Sequence, residues 1–113
     1  MAAGYQDLFI EQGTTFNTEI TLDDVTGTAM NLTNFTVSSQ ARKSYYSSSA
    51  TIVFDATISD PNNGVITLAA NSAVTSNVSP GKFVYDVLIT DTVFNNVTRV
   101  LEGQIFVSPS VTR

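Results

Sequence analysis

The strongest constraint on this chain is a two-residue alternation of apolar and polar side chains, interrupted about every ten residues by turn-forming residues. That period belongs to extended backbone, where successive side chains point to opposite faces. From Thr15 to Leu22, one face carries Phe16, Thr18, Ile20 and Leu22, and the other Thr15, Asn17, Glu19 and Thr21. Asp23-Asp24-Val25-Thr26-Gly27 then reads as a hairpin turn with Gly27 at positive φ, followed by a short return through Ala29-Met30-Asn31-Leu32. An extended stretch is expected from Phe35 to Tyr46, with Phe35, Val37, Ser39 and Ala41 facing inward and Ser47-Ser48-Ser49 as a loop.

The next strand, Ala50 to Ile58, has Ile52, Phe54, Ala56 and Ile58 on its inner face. Asp60-Pro61-Asn62-Asn63-Gly64 is the strongest turn, because proline fixes φ and Asn-Gly accepts left-handed backbone. Val65 to Leu68 returns. Alternation lapses between Ala69 and Ser79, where Asn71 or Ser72 would cap a single helical turn, about 71–78, stopped by Ser79-Pro80-Gly81. Lys82 to Thr90 puts Phe83, Tyr85, Val87 and Ile89 on one face and Val84, Asp86 and Leu88 on the other. Asp91 to Asn96 is a hairpin loop with Phe94 near its tip, and Val97 to Val107 closes the domain before Pro109. An earlier strand, Asp7 to Gln12, ends at Gly13.

These segments make seven or eight short strands joined by hairpins. Hairpins imply antiparallel pairing, and two half-polar sheets bury their apolar faces by stacking. The expected fold is therefore an all-β, antiparallel β-sandwich, with a small barrel as the alternative; a solenoid or propeller would need an internal repeat that is absent. At 113 residues the chain suits one domain, expected over residues 6–108, with a loose arm at 1–5 and a tail at 109–113.

Composition narrows the function. The chain has no histidine and no cysteine, which removes the commonest general base, the best nucleophile and the main transition-metal ligands. A carboxylate pair could still serve as acid and base, from Asp55, Asp60, Asp86 and Glu102. Asp60 is explained by its turn, however, and Asp55 and Glu102 alternate as outward residues do, with no tryptophan to line a sugar subsite. An enzyme is not expected, and no catalytic residue, cofactor or metal is assigned. Calcium loops at Asp23-Asp24 and at Asp60 with Asn62 and Asn63 lack the spacing of a calcium site; hydrogen bonding to their own turns is the simpler role. A formal charge of −5, with five basic residues of which only Arg42 and Lys43 adjoin, argues against nucleic acid. No apolar run reaches the ~20 residues that cross a bilayer, and Met1 to Asp7 lacks the pattern of a secretory signal, so the sequons at Asn31, Asn34, Asn77 and Asn96 carry no expectation of glycosylation.

Four aromatics are the candidate interface residues: Tyr5 in the expected arm, Tyr45 and Tyr46, and Phe94. Asp86 sits between Tyr85 and Val87; if both sheet faces are covered there, it needs Arg99 or Arg42 as a partner, and if it faces solvent it needs none.

Several stretches taken in order, Asp7-Leu8-Phe9-Ile10-Glu11-Gln12-Gly13-Thr14-Thr15-Phe16, Ala41-Arg42-Lys43-Ser44-Tyr45, Gly64-Val65-Ile66-Thr67-Leu68, Pro80-Gly81-Lys82-Phe83-Val84-Tyr85-Asp86-Val87 and Arg99-Val100-Leu101-Glu102-Gly103-Gln104-Ile105-Phe106-Val107, resemble the small β-sandwich virion proteins of tailed bacteriophages, cyanophages included. The layout is similar to the N-terminal domain of phage baseplate upper proteins. The resemblance implies an immunoglobulin-like module in the virion, assembled in the host cytoplasm. Its partners would be other virion proteins of tail, baseplate or capsid, with multiple copies in a symmetric assembly. Baseplate upper proteins continue into helical and fibre-like segments, whereas this sequence stops at Arg113, so the expectation is a tail, baseplate or fibre-attachment adaptor, or alternatively a capsid decoration protein. A host-receptor or glycan-binding module is a further alternative.

Overall fold

A computed structural model describes residues 4–23, 27–28 and 30–111. Two sheets stack with their apolar faces together. The larger has six strands: β1 (Gly4–Tyr5), β2 (Leu8–Glu11), β4 (Phe35–Arg42), β5 (Ile52–Val53), β8 (Gly81–Asp91) and β9 (Val97–Ser108). Their order is β1-β9-β8-β4-β5, with β2 following β1 along the same side of β9. The smaller sheet is β3 (Phe16–Thr21), β7 (Val65–Ala70) and β6 (Asp55–Asp60), in the order β3-β7-β6. The expected all-β sandwich is formed, in an immunoglobulin-like arrangement. The barrel is not, since the two sheets remain separate ladders.

Alternation explains which side of each strand is inside. On β8, Phe83, Tyr85, Val87 and Ile89 are all buried; they meet Ile66 and Leu68 of β7, Ile105 of β9, and Ile10 of β2 within one continuous core. Burying a large aliphatic side chain in such a core contributes about 1.5–3 kcal/mol. The lapse in alternation is also accounted for. Helix α1 (Ser72–Ser76) is a single short turn whose N-cap, Asn71, accepts a hydrogen bond from the Val74 N–H through its side chain at 2.9 Å. Thr75, fully buried beneath it, donates its hydroxyl to the Thr14 carbonyl at 2.7 Å and so ties α1 to the turn between β2 and β3.

Three local features differ from the sequence reading. The Phe35 strand stops at Arg42 rather than Tyr46, because Ser44 to Ser47 closes a turn in which the Ser47 hydroxyl accepts from the Ser44 N–H at 3.1 Å. Met30 to Leu32 forms no strand; Leu32 is buried and its N–H donates to the Pro61 carbonyl at 2.7 Å. Residues 24–26 and 29 of the expected hairpin lie outside the described residues, while Gly27 does have positive φ, at 83°. The Ala50–Ile58 strand is split: Ile52–Val53 pairs with β4, and from Asp55 the chain pairs with β7 in the other sheet. Phe54 makes the crossing, buried against Phe16 at 5.8 Å between ring centroids. An inward residue stays inward as the chain changes sheets, so alternation runs through the crossing unbroken.

The N-terminal segment is the largest departure. Hairpins accounted for the expected antiparallel pairings, yet β1 and β2 pair with β9 in parallel, Gly4 opposite Leu101 and Leu8 opposite Ile105. Gly4 and Tyr5 are therefore strand residues, not part of a loose arm; residues 1–3 lie outside the described residues. Gly64, at φ 68°, closes the turn after Pro61–Asn63 where a Cβ would come within 2.7 Å of the Leu22 and Met30 carbonyl oxygens, so glycine is required there by both backbone and space.

Leu68 lies at the centre of β7, opposite Thr18 on one side and Ala56 on the other, and is fully buried. Leu68→Ala is expected to lower stability by about 2–5 kcal/mol, read as a reduced urea midpoint with an unchanged slope.

Candidate functional site

The outer face of the six-stranded sheet gathers most of the exposed aromatics, and it is built row by row from the strand register. One row crosses the sheet from Tyr5 through Glu102, Asp86 and Gln40 to Val53, each opposite the next on a neighbouring strand. A second contains Phe9, Phe106 and Lys82, in which the two phenyl rings stack at 5.4 Å with a 20° interplanar angle. Between these rows lie Gln104, Val84 and Arg42. Tyr5, Phe9 and Val53 are 65%, 73% and 63% exposed. The outer face of the three-stranded sheet is unlike it. It carries Asn17, Glu19 and Thr21, Val65, Thr67 and Ala69, and Asp55, Thr57 and Ser59, with no aromatic and no cation.

Charge on the larger face is partly neutralised in place. Arg99 Nε lies 3.3 Å from Asp86, and its Nη1 lies 3.4 Å from Glu102. These two carboxylates sit directly opposite one another on β8 and β9, and like charges in that position repel unless a cation joins them. Asp86 thus faces solvent and is also paired; of its two expected partners, Arg99 holds it and Arg42 does not. Arg42 instead donates to the Ser47 carbonyl and to the Gln40 side chain, both at 3.0 Å. Lys43 lies over the Phe83 ring, 5.0 Å from its centroid. Among the described residues, Arg42, Lys43 and Lys82 make no ion pair with a carboxylate.

A groove of about 180 Å³ opens between these groups, lined by Gln40, Arg42, Tyr45, Val84, Asp86 and Arg99, with Tyr85 at its floor. Two neutral acceptors fix the Arg42 guanidinium, which leaves its charge uncompensated and already oriented. The sheet beneath is stiffened where the N-terminal segment changes from β1 to β2. At Gln6 the chain bulges over Gly103: the Gln6 N–H donates to the Glu102 carbonyl at 3.0 Å, and the buried Tyr85 hydroxyl donates to the Gln6 carbonyl at 2.5 Å. Asp7 then accepts from the Gln104 N–H at 3.2 Å. Any Cβ on residue 103 would collide with the Gln6 carbonyl, so glycine is what lets the bulge close.

Of the four candidate interface residues, Tyr5 and Tyr45 come to this face, Tyr45 forming one wall of the groove at 68% exposure. Tyr46 is almost fully exposed in the same loop as Tyr45. Phe94 lies elsewhere, exposed with Val93 in the loop that joins β8 to β9 beyond Asp91 and near exposed Val97 at the start of β9, at the opposite end of β8 from the groove. Phe9, Phe106, Val53 and the unpaired Arg42 were not singled out from the sequence. Phe9 was legible, since it alternates with buried Leu8 and Ile10 and must point outward. Arg42 was not, because its lack of a carboxylate partner depends on which strands flank it. Asp55 and Glu102 project from opposite sides of the sandwich, so they do not form a pair. Asp60 accepts from the Asn63 side chain at 2.8 Å within its own turn, and no cluster of three or more acidic residues occurs among the described residues.

No family model matches the chain, and no curated protein matches it. Among solved structures, that of InlP from Listeria monocytogenes superposes with a TM-score of 0.51 at 18% identity, over 94% of this chain and 27% of that one. A family 123 glycoside hydrolase from Clostridium perfringens gives 0.43 at 12% identity, over 97% of this chain and 24% of that one. The chain thus spans about a quarter of either protein, and the first likeness is one of fold alone.

The Tyr85 hydroxyl is held above the ordinary tyrosine range, first by burial and then by the nearby charge of Asp7. A raised pKa means the folded state keeps its proton more tightly than the unfolded state. The stabilisation is therefore complete below pH ~10 and is lost as pH rises beyond it. Stability of the wild type should fall above pH ~10, and Tyr85→Phe should flatten that fall. At pH 7 the same variant should cost about 1–2 kcal/mol and speed hydrogen exchange in residues 6–11, since the Gln6 carbonyl loses its partner.

Proposed function

We propose that this chain is a non-enzymatic structural module of a tailed-bacteriophage virion, an adaptor in the tail, baseplate or fibre attachment that works through protein–protein contacts. The virion assignment rests on the sequence resemblance; the mode of action rests on the outer face of the six-stranded sheet. That face combines exposed aromatics with ordered ion pairs on a rigid platform, the composition of surfaces that anchor partners. Absence of histidine and cysteine, with Asp86 and Glu102 both tied to Arg99, supports binding over catalysis. A capsid decoration role would use the same face. Mass spectrometry of purified particles from the source should find the protein in amounts corresponding to several copies per particle. Particles that lack it would overturn the proposal.

A second reading draws on the groove. An aromatic wall at Tyr45 beside Gln40, Arg42 and Asp86 offers a stacking surface and hydrogen-bonding groups of the kind that hold a sugar ring. If the module recognises host glycan, glycan arrays should show binding that Tyr45→Ala reduces at least about tenfold, a loss of about 1.4 kcal/mol. No binding on the arrays would remove this reading.

A further inference from the structure

The two outer faces of the sandwich differ in charge as well as in aromatic content. Every basic residue among those described, Arg42, Lys43, Lys82 and Arg99, lies on or beside the six-stranded sheet. The three-stranded sheet has none, and exposes Glu19 on β3 and Asp55 on β6, neither in an ion pair among the described residues. These two carboxylates flank β7 from opposite sides, about 10 Å apart across the sheet and about 7 Å along it. On the other face, Arg42 lies opposite Val84, and Lys82 is two residues from Val84 on β8, so the two uncompensated cations are close neighbours.

Shape agrees with charge. Around Glu19 and Asp55 the side chains are small: Asn17, Thr57, Thr67 and Ala69 make a low surface. Attachment by strand addition is disfavoured at three of the four sheet edges. Strand β6 has a register shift between Ile58 and Asp60 and runs into Pro61, β5 has two residues, and the β1/β2 edge is broken at Gln6–Asp7, which leaves β3, six residues in unbroken register, as the one regular edge. The two outer faces are broader than that single edge.

The geometry points to a second copy of this chain as the occupant of the aromatic face: the three-stranded sheet of one copy stacks on the six-stranded sheet of the next, with Asp55 and Glu19 set against Arg42 and Lys82. Such a contact is heterologous, since different surfaces meet, and it repeats into a ring or a stack rather than closing as a two-fold dimer. It deepens the multi-copy adaptor reading and rests on it, but it is tested on the isolated protein, so the two can fail separately.

Sedimentation equilibrium on the purified chain at low ionic strength should show association that weakens as salt is added. Arg42→Glu with Lys82→Glu should weaken it at least about tenfold, and Glu19→Lys with Asp55→Lys should do the same. Mixing the two double variants, or combining all four substitutions in one chain, should restore it; restoration also shows that the variants are folded. A chain monomeric at every concentration overturns the proposal and leaves the face to an acidic partner of another kind. Loss on reversing Arg42 and Lys82 but not Glu19 and Asp55 also overturns it, in favour of a two-fold contact between aromatic faces. Failure of the mixture to restore association, with both variants folded by circular dichroism, overturns it equally.

Discussion

The pairing of β8 with β9 is the interaction on which the rest of this molecule depends. It is the longest ladder, running from Gly81 opposite Val107 to Thr90 opposite Val97, and one residue slip would turn every side chain of either strand to the wrong face. That slip is blocked at both ends. At the hairpin, Asp91 accepts from the Val93 N–H at 2.8 Å, and Asn95 adopts left-handed backbone at φ 57° to complete the loop. At the other end, Tyr85 reaches beneath Gly103 to the Gln6 carbonyl and fixes β9 against the N-terminal segment. Between these points a register shift at Val87/Leu88 buries both Val100 and Leu101, adding an apolar residue to the core without lengthening the strand.

Local chemistry was legible in the sequence, and long-range pairing was not. The inward set of β8, the Asn71 cap, the Pro61–Gly64 turn and the tip position of Phe94 follow from residues within a few positions of one another. Parallel docking of Leu8 on Ile105 joins segments nearly the whole chain apart, and nothing in either segment names the other. The crossing at Phe54 was hidden for a different reason. A strand that leaves one sheet for the facing one keeps the same side toward the core, so its pattern is that of an uninterrupted strand.

The same distinction holds at the candidate surface. Tyr5 and Tyr45 were recognisable as aromatics outside the core pattern, and Phe9 could have been, by its place between Leu8 and Ile10. The state of a charged residue is a property of its neighbours across strands. Asp86, Glu102 and Arg99 form one unit only because β8 and β9 place the carboxylates opposite each other, and Arg42 is left uncompensated because Gln40 and the Ser47 carbonyl reach it first. Such facts appear only once register is known.

Register also determines how the charges of an acidic protein are divided between its two faces. With a net charge of −5, copies repel at long range, and the repulsion is smallest where the cations lie. The six-stranded sheet collects those cations together with Tyr5, Phe9 and Tyr45, so electrostatics and apolar area favour approach on the same face. The outer face of the three-stranded sheet, threonine-rich and without aromatics, resists packing against itself because Glu19 and Asp55 would meet their own kind. A sandwich arranged in this way distinguishes front from back. That polarity would give the proposed contacts a direction, and it arises from strand order rather than from any single binding residue.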